Sequence, residues 1–114
     1  MDYVYLHLEA TDECSHQGNL DEKIEAIEII DKKVVKYLLD ELNKKGEDFK
    51  MMILPDHPTP VRLRTHTSNP VPYMIYDSRD SKDRHELNYY EGACESTGNV
   101  FKTGPELTKY FVRK

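Results

Sequence analysis

The sequence predicts an α/β domain built around a parallel βαβ unit. Two short apolar runs, residues 3–8 and 50–54, read as strands, and the long segment between them carries apolar residues at helical spacing. A third observation places the chemistry. Acidic and imidazole side chains follow each strand: Asp12 and His16 after the first, Asp56, His57 and His66 after the second. In an open α/β sheet, ligands bind beyond the carboxyl ends of the strands.

Each element has its own warrant. Residues 3–8, Tyr-Val-Tyr-Leu-His-Leu, are rich in β-branched and aromatic side chains. Alternation puts Val4, Leu6 and Leu8 on one face and Tyr3, Tyr5 and His7 on the other, with His7 a packed imidazole rather than a ligand. Residues 9–18 read as a polar loop. Asn19 then has the position of a helix N-cap, with Glu22 at the capping-box spacing. Leu20, Ile24, Ile27, Ile30, Val34, Leu38 and Leu42 form one apolar stripe, and Lys44, Lys45 and Gly46 close the helix. Residues 50–54 make the second strand and Pro55 ends it. Strand, helix and strand imply parallel pairing through a right-handed crossover.

Residues 58–70 hold three prolines and read as a loop over the carboxyl edge of the sheet. Residues 71–76 form a third strand, kept near an edge or near its start by Pro72. Residues 77–84 are a charged surface turn, with His85 solvated just beyond. Residues 89–95 suggest a short helix. Thr103-Gly104-Pro105-Glu106 caps a last helix, with Leu107, Tyr110 and Phe111 on its buried side.

At 114 residues the chain is one domain at most. A net charge of -5 opposes a nucleic-acid partner, which needs a basic surface. No apolar run approaches the roughly 20 residues of a membrane span, and no signal peptide is visible, so no membrane partner and a cytoplasmic location are expected. Two cysteines, Cys14 and Cys94, give no disulfide framework. A start directly in a strand suggests a piece of a longer protein.

Carboxylate and imidazole together suit borderline divalent metals. Asp12 and His16, four apart, share a face only if their loop turns helically. Asp56 and His57 are adjacent and diverge unless the backbone turns sharply, as Pro55 and Pro58 could enforce. A turn aspartate or a capping histidine would explain either pair alone; two pairs at two strand ends strengthen the metal reading and leave the structural one open. Ser68 and Asn69 could support His66 by hydrogen bonds. Cys14 lies between two candidate ligands and could add a sulfur or simply fill space. Arg62 and Arg64 could clamp a phosphate, or form an ordinary surface pair.

Three stretches carry a resemblance. They are Glu9-Ala10-Thr11-Asp12-Glu13-Cys14-Ser15-His16-Gln17-Gly18, Leu54-Pro55-Asp56-His57-Pro58-Thr59-Pro60-Val61, and Arg64-Thr65-His66-Thr67-Ser68-Asn69-Pro70-Val71-Pro72. In this order they resemble the C-terminal metal motifs of cofactor-independent phosphoglycerate mutase, archaeal-type branch, in the alkaline phosphatase superfamily. The likeness runs over nearly the whole chain. The Asp-His-Pro-Thr-Pro wording also resembles a subgroup described as proposed homoserine kinases.

The resemblance implies a two-metal phosphoryl-transfer centre. One divalent ion would be held by Asp12, His16 and His66, the other by Asp56 and His57 with an Asp and a nucleophilic Ser from an N-terminal part. Mn²⁺ is expected first, with Zn²⁺, Co²⁺ or Mg²⁺ as alternatives. The substrate would be a small phosphorylated acid, 3-phosphoglycerate, converted to 2-phosphoglycerate in glycolysis through a phosphoserine. Residues 1–114 would then be the C-terminal part of the metalloenzyme domain, without the N-terminal part and the inserted substrate domain. Such a piece is expected to be inactive alone and to self-associate through its uncovered edge. A homoserine kinase-like transferase and a stand-alone, non-catalytic binding domain are the competing readings.

Overall fold

The computed structural model describes residues 3–79 and 89–113. They combine helices with one small sheet and divide into two compact units. The first takes the described part of Met1–Lys45 with His57–Asn69; the second takes Gly46–Asp56 with the described part of Pro70–Lys114.

The first unit opens without a strand. Residues 3–8 have no ladder partner among the described residues, and their apolar side chains are exposed, Val4 at 85%. β-propensity says that a segment suits a pleated surface, not that a neighbouring strand stands beside it to complete a ladder. His7 is likewise exposed instead of packed, beside Glu9 at 3.8 Å.

The expected loop at residues 9–18 contains a helix, α1 (Ala10–His16). Its end is a Schellman motif. Asn19 N–H donates to the Cys14 carbonyl and Gly18 N–H to that of Ser15, both at 2.9 Å, with Gly18 left-handed at φ 70°. Asn19 then caps the next helix, its side chain accepting from Glu22 N–H at 3.0 Å. That helix runs as α2 (Leu20–Ile29), a π-helical segment (Ile30–Val35) and α3 (Lys36–Lys45), and Gly46, at φ 73°, ends it. In the wide segment Lys36 N–H reaches back five residues to the Asp31 carbonyl. The apolar stripe is present but not buried: Leu20, Ile24 and Ile27 are exposed, and Ile30, Val34, Leu38 and Leu42 are half-buried.

The second unit holds the sheet. β1 (Lys50–Ile53) and β2 (Met74–Asp77) pair antiparallel, with Lys50 opposite Asp77 and Ile53 opposite Met74. This corrects the parallel expectation among the described residues. Alternation marks a strand without naming its partner, and here β1 takes its ladder from the later run. β2 is shorter than predicted because Pro70 and Pro72 have no N–H to give a ladder. Ser78 extends the pairing, its N–H donating to the Phe49 carbonyl and its Oγ accepting from Phe49 N–H.

α4 (Glu91–Ser96) and α5 (Gly104–Val112) complete this unit. Thr103 caps α5 by accepting from Glu106 N–H at 3.3 Å. Ala93 and Leu107 are the buried apolar residues among those described. Tyr110, expected inside, is half exposed, although its ring rests 5.3 Å from Phe101. Lys50 Nζ donates to the Phe111 carbonyl at 3.2 Å and to that of Arg113, placing a cation at the carboxyl end of α5. Asp77 ends β2 and pairs with Arg79; residues 80–84 of the expected turn, and His85, lie outside the described residues.

Candidate metal centre

α1 carries two acceptor groups on one side. Asp12 and His16 stand four apart, so the helix stacks them, with Asp12 Oδ1 3.3 Å from His16 Nε2. The third member comes from the proline-rich loop, where His66 Nε2 lies 3.0 Å from Asp12 Oδ1 and 3.1 Å from His16 Nε2. Ligand atoms about 2.1 Å from one ion, at angles between octahedral and tetrahedral, stand roughly 3.0–3.4 Å apart. All three edges of this triangle lie in that range, so the donor set fits a divalent cation. Each side chain is between a third and a half exposed, which leaves one side open to further ligands.

The loop is held by its own backbone and by α2. Leu63 and Arg64 N–H both donate to the Pro60 carbonyl, Thr67 N–H donates to that of Pro58, and Lys23 Nζ donates to the Thr59 carbonyl at 2.9 Å. Arg64 is left-handed at φ 53°, unusual for a residue with a Cβ. In that conformation its carbonyl lies 3.0 Å from His16 Nδ1. A carbonyl only accepts, so Nδ1 carries the hydrogen and Nε2, inside the triangle, keeps its lone pair when the ring is neutral. The Arg64 guanidinium lies over Gly18, where a Cβ would meet its Nε at 2.3 Å.

Two further residues join the cluster. Thr59, buried in an otherwise open loop, donates its hydroxyl to Asp12 Oδ1 at 2.9 Å and stands 3.0 Å from His57 Nδ1. The His57 ring stacks on His66 at 3.5 Å between centroids. Partial burial raises the Asp12 carboxyl, but the Thr59 hydroxyl, the neighbouring His16 charge and the His66 hydrogen bond outweigh it and hold it below its ordinary value.

Of the five sequence candidates for metal, Asp12, His16 and His66 come together as a ligand trio, with His57 against them. Asp56 is exposed and belongs to the second unit. Arg62 is exposed, and Arg64 has a local place over Gly18. Cys14 is half-buried and outside the trio: two residues from Asp12, it projects about 200° round the helix. Thr59 was missed as a contact residue, although its spacing held a clue. In an extended proline-flanked run, side chains two apart point the same way, which puts Thr59 on the side of His57.

Comparisons with known proteins agree with a metal centre. A family model described as the metalloenzyme superfamily matches residues 1–109. A protein of Geobacter sulfurreducens described as probable 2,3-bisphosphoglycerate-independent phosphoglycerate mutase is 43% identical over 97% of this chain and 28% of its own length. A 2,3-bisphosphoglycerate-independent phosphoglycerate mutase of Methanothrix thermoacetophila is 47% identical over 81% of this chain and 24% of its own. The counterpart from Methanosarcina acetivorans is 37% identical over 87% and 25%. The chain thus spans about a quarter of the length of these curated relatives. No solved structure matches it. Among the described residues no helix is long and apolar enough to cross a membrane. With a family match over nearly its whole length and a trio of metal-type donors at ligand spacing, the chain belongs to the metalloenzyme superfamily.

Proposed function

We propose that this chain is the C-terminal metal-binding part of a larger cofactor-independent phosphoglycerate mutase that interconverts 3-phosphoglycerate and 2-phosphoglycerate. The observation that carries the proposal is the triangle of Asp12 Oδ1, His16 Nε2 and His66 Nε2, with edges of 3.0–3.3 Å. The names of the relatives support the substrate class.

Asp12, His16 and His66 would hold one divalent ion, and Asp56 and His57 would contribute to a second; Mn²⁺ is proposed ahead of Zn²⁺, Co²⁺ and Mg²⁺. Bound there, the ions supply charge for phosphoryl transfer and for lowering the pKa of a nucleophile. The nucleophilic serine and most substrate contacts would come from the rest of the larger protein, so residues 1–114 alone would turn over nothing. Arg62 is available for a phosphate. In the larger fold residues 3–8 would gain the parallel neighbours that an α/β sheet provides. Their exposed side chains, Val4 and Tyr5 above all, support that placement. Uncovered, they would drive self-association of the isolated chain, read as a concentration-dependent sedimentation coefficient.

Titration of the chain with Mn²⁺ and with Zn²⁺, followed by calorimetry, tests the centre. One ion per chain is expected to bind at the trio, ahead of any weaker second ion, with that affinity lost in His16→Ala and in His66→Ala. Binding that persists in the double variant would refute the site. Assay of the larger protein with 3-phosphoglycerate tests the reaction; turnover of homoserine and ATP in its place would replace the substrate.

A further inference from the structure

We propose that Thr59 is a positioning residue, whose hydroxyl fixes His57 in the tautomer that offers Nε2 while holding Asp12 in the ligand triangle. The inference deepens the metal-centre reading and rests on it.

The hydroxyl has one hydrogen and two neighbours. Asp12 Oδ1 lies 2.9 Å away and His57 Nδ1 3.0 Å away. An ionised carboxylate has no hydrogen to give, so the Thr59 hydrogen goes to Asp12. What faces His57 is then a lone pair of Oγ1, and His57 Nδ1 must be the donor. A neutral His57 therefore carries its hydrogen on Nδ1, and Nε2 is its acceptor nitrogen. The same logic operates at His16, whose Nδ1 donates to the Arg64 carbonyl. Two imidazoles are thus preset with Nε2 as the ligating atom, one by a backbone carbonyl and one by a hydroxyl.

Thr59 is itself well placed to do this. It is 7% exposed, and Lys23 Nζ fixes its carbonyl at 2.9 Å. Pro58 and Pro60 stiffen the backbone on either side. The hydroxyl also ties Asp12, from the first ligand set, to His57, from the second, so that misplacing one disturbs the other.

The test compares wild type with Thr59→Val, which keeps the shape and removes the hydroxyl, and Thr59→Ser, which keeps the hydroxyl. Nitrogen-15 spectra of the histidine rings in the metal-free chain report the tautomer directly, and Mn²⁺ calorimetry reports affinity. His57 protonated on Nδ1 is expected in wild type and in Thr59→Ser. Thr59→Val should shift His57 towards the Nε2–H form and weaken Mn²⁺ about 10–100-fold, the usual cost of removing a group that orients a ligand. A wild-type His57 protonated on Nε2 overturns the proposal, as does a Thr59→Val chain with unchanged tautomer and affinity. If Thr59→Val fails to fold, the tautomer in wild type and Thr59→Ser still decides. A wild type that binds no Mn²⁺ refutes the metal centre instead, and the ring spectra judge Thr59 separately.

Discussion

Gly18→Ala should destabilise the chain by about 1.5–2 kcal/mol. Gly18 sits at φ 70°, where an L side chain costs roughly 1 kcal/mol. The added Cβ would also stand 2.3 Å from Arg64 Nε and 2.8 Å from its Cζ. Something must shift, and the exposed guanidinium is the cheapest part to move, for roughly 0.5–1 kcal/mol in lost packing and rotamer choice. For a chain of this size each kcal/mol lowers Tm by about 4 °C, so thermal melts should show a fall of roughly 6–8 °C. The two contributions separate in an Arg64→Ala background. There the collision is absent and only the backbone cost remains, so the Gly18→Ala penalty should fall by about a third to a half. Mn²⁺ affinity should weaken as well if the displaced arginine carries its carbonyl away from His16. An unchanged Tm in Gly18→Ala would refute the left-handed assignment at this turn. An identical penalty in both backgrounds would refute the packing of Arg64 on Gly18.

Two further outcomes concern the second unit. Tyr89 donates its hydroxyl to the Pro72 carbonyl at 3.0 Å and lies 3.4 Å from that of Ile53, and its phenol is pushed up to about 12 by burial, then by Cys94 and Glu91. Tyr89→Phe should therefore cost about 0.5–1.5 kcal/mol in urea unfolding; a neutral result would mean that water replaces the bond. Asp77 is lowered to about 2, first by the Arg79 side chain and then by its backbone N–H. A depressed carboxylate stabilises the fold above its unfolded pKa of 3.8, and that contribution is lost as pH falls from there through about 2. Asp77→Asn should be less stable than wild type at pH 5, with the gap closing across this window; a gap that stayed constant down to pH 2 would rule the pair out as its source.

How much of this was legible in the sequence depended on how local each cause was. The caps at Asn19 and Thr103 and the stop at Gly46 were readable because each needs only residues within one turn. Asp12 and His16 were readable as a pair through their spacing. The helix that carries them was not, for a physical reason. α1 is seven residues long, the side chain it buries is Ser15, and the side chains it turns to the loop are Asp12 and His16. Hydrophobic periodicity cannot detect a helix whose working side is polar. Strand pairing failed for the opposite reason, since residues 3–8 have the right composition and their partner is not a local property. The left-handed Arg64 had no signal at all, because nothing in Arg-Thr-His distinguishes it from an ordinary loop.

The ligand trio nevertheless depends on few of the features that were misread. Asp12 and His16 ride on α1, and α1 ends at Gly18. His66 comes from a loop some 50 residues later, and that loop is tied back to α1 and α2 by Thr59 on Asp12, the Arg64 carbonyl on His16 and Lys23 on the Thr59 carbonyl. Every one of these contacts lies within the first compact unit. None needs β1 or β2, so the way the strands pair does not enter the geometry of the triangle. The proposed second pair differs: Asp56 and His57 are neighbours in sequence, yet Asp56 belongs to the second unit and His57 to the first. On the proposed assignment a stepwise binding curve is expected, with the first ion held by the trio and the second bound far more weakly because its remaining ligands would come from the rest of a larger protein. Two equal, tight sites in the 114-residue chain would show that the Asp56–His57 pair is as complete as the trio, and would contradict the assignment of its missing ligands to the rest of a larger protein.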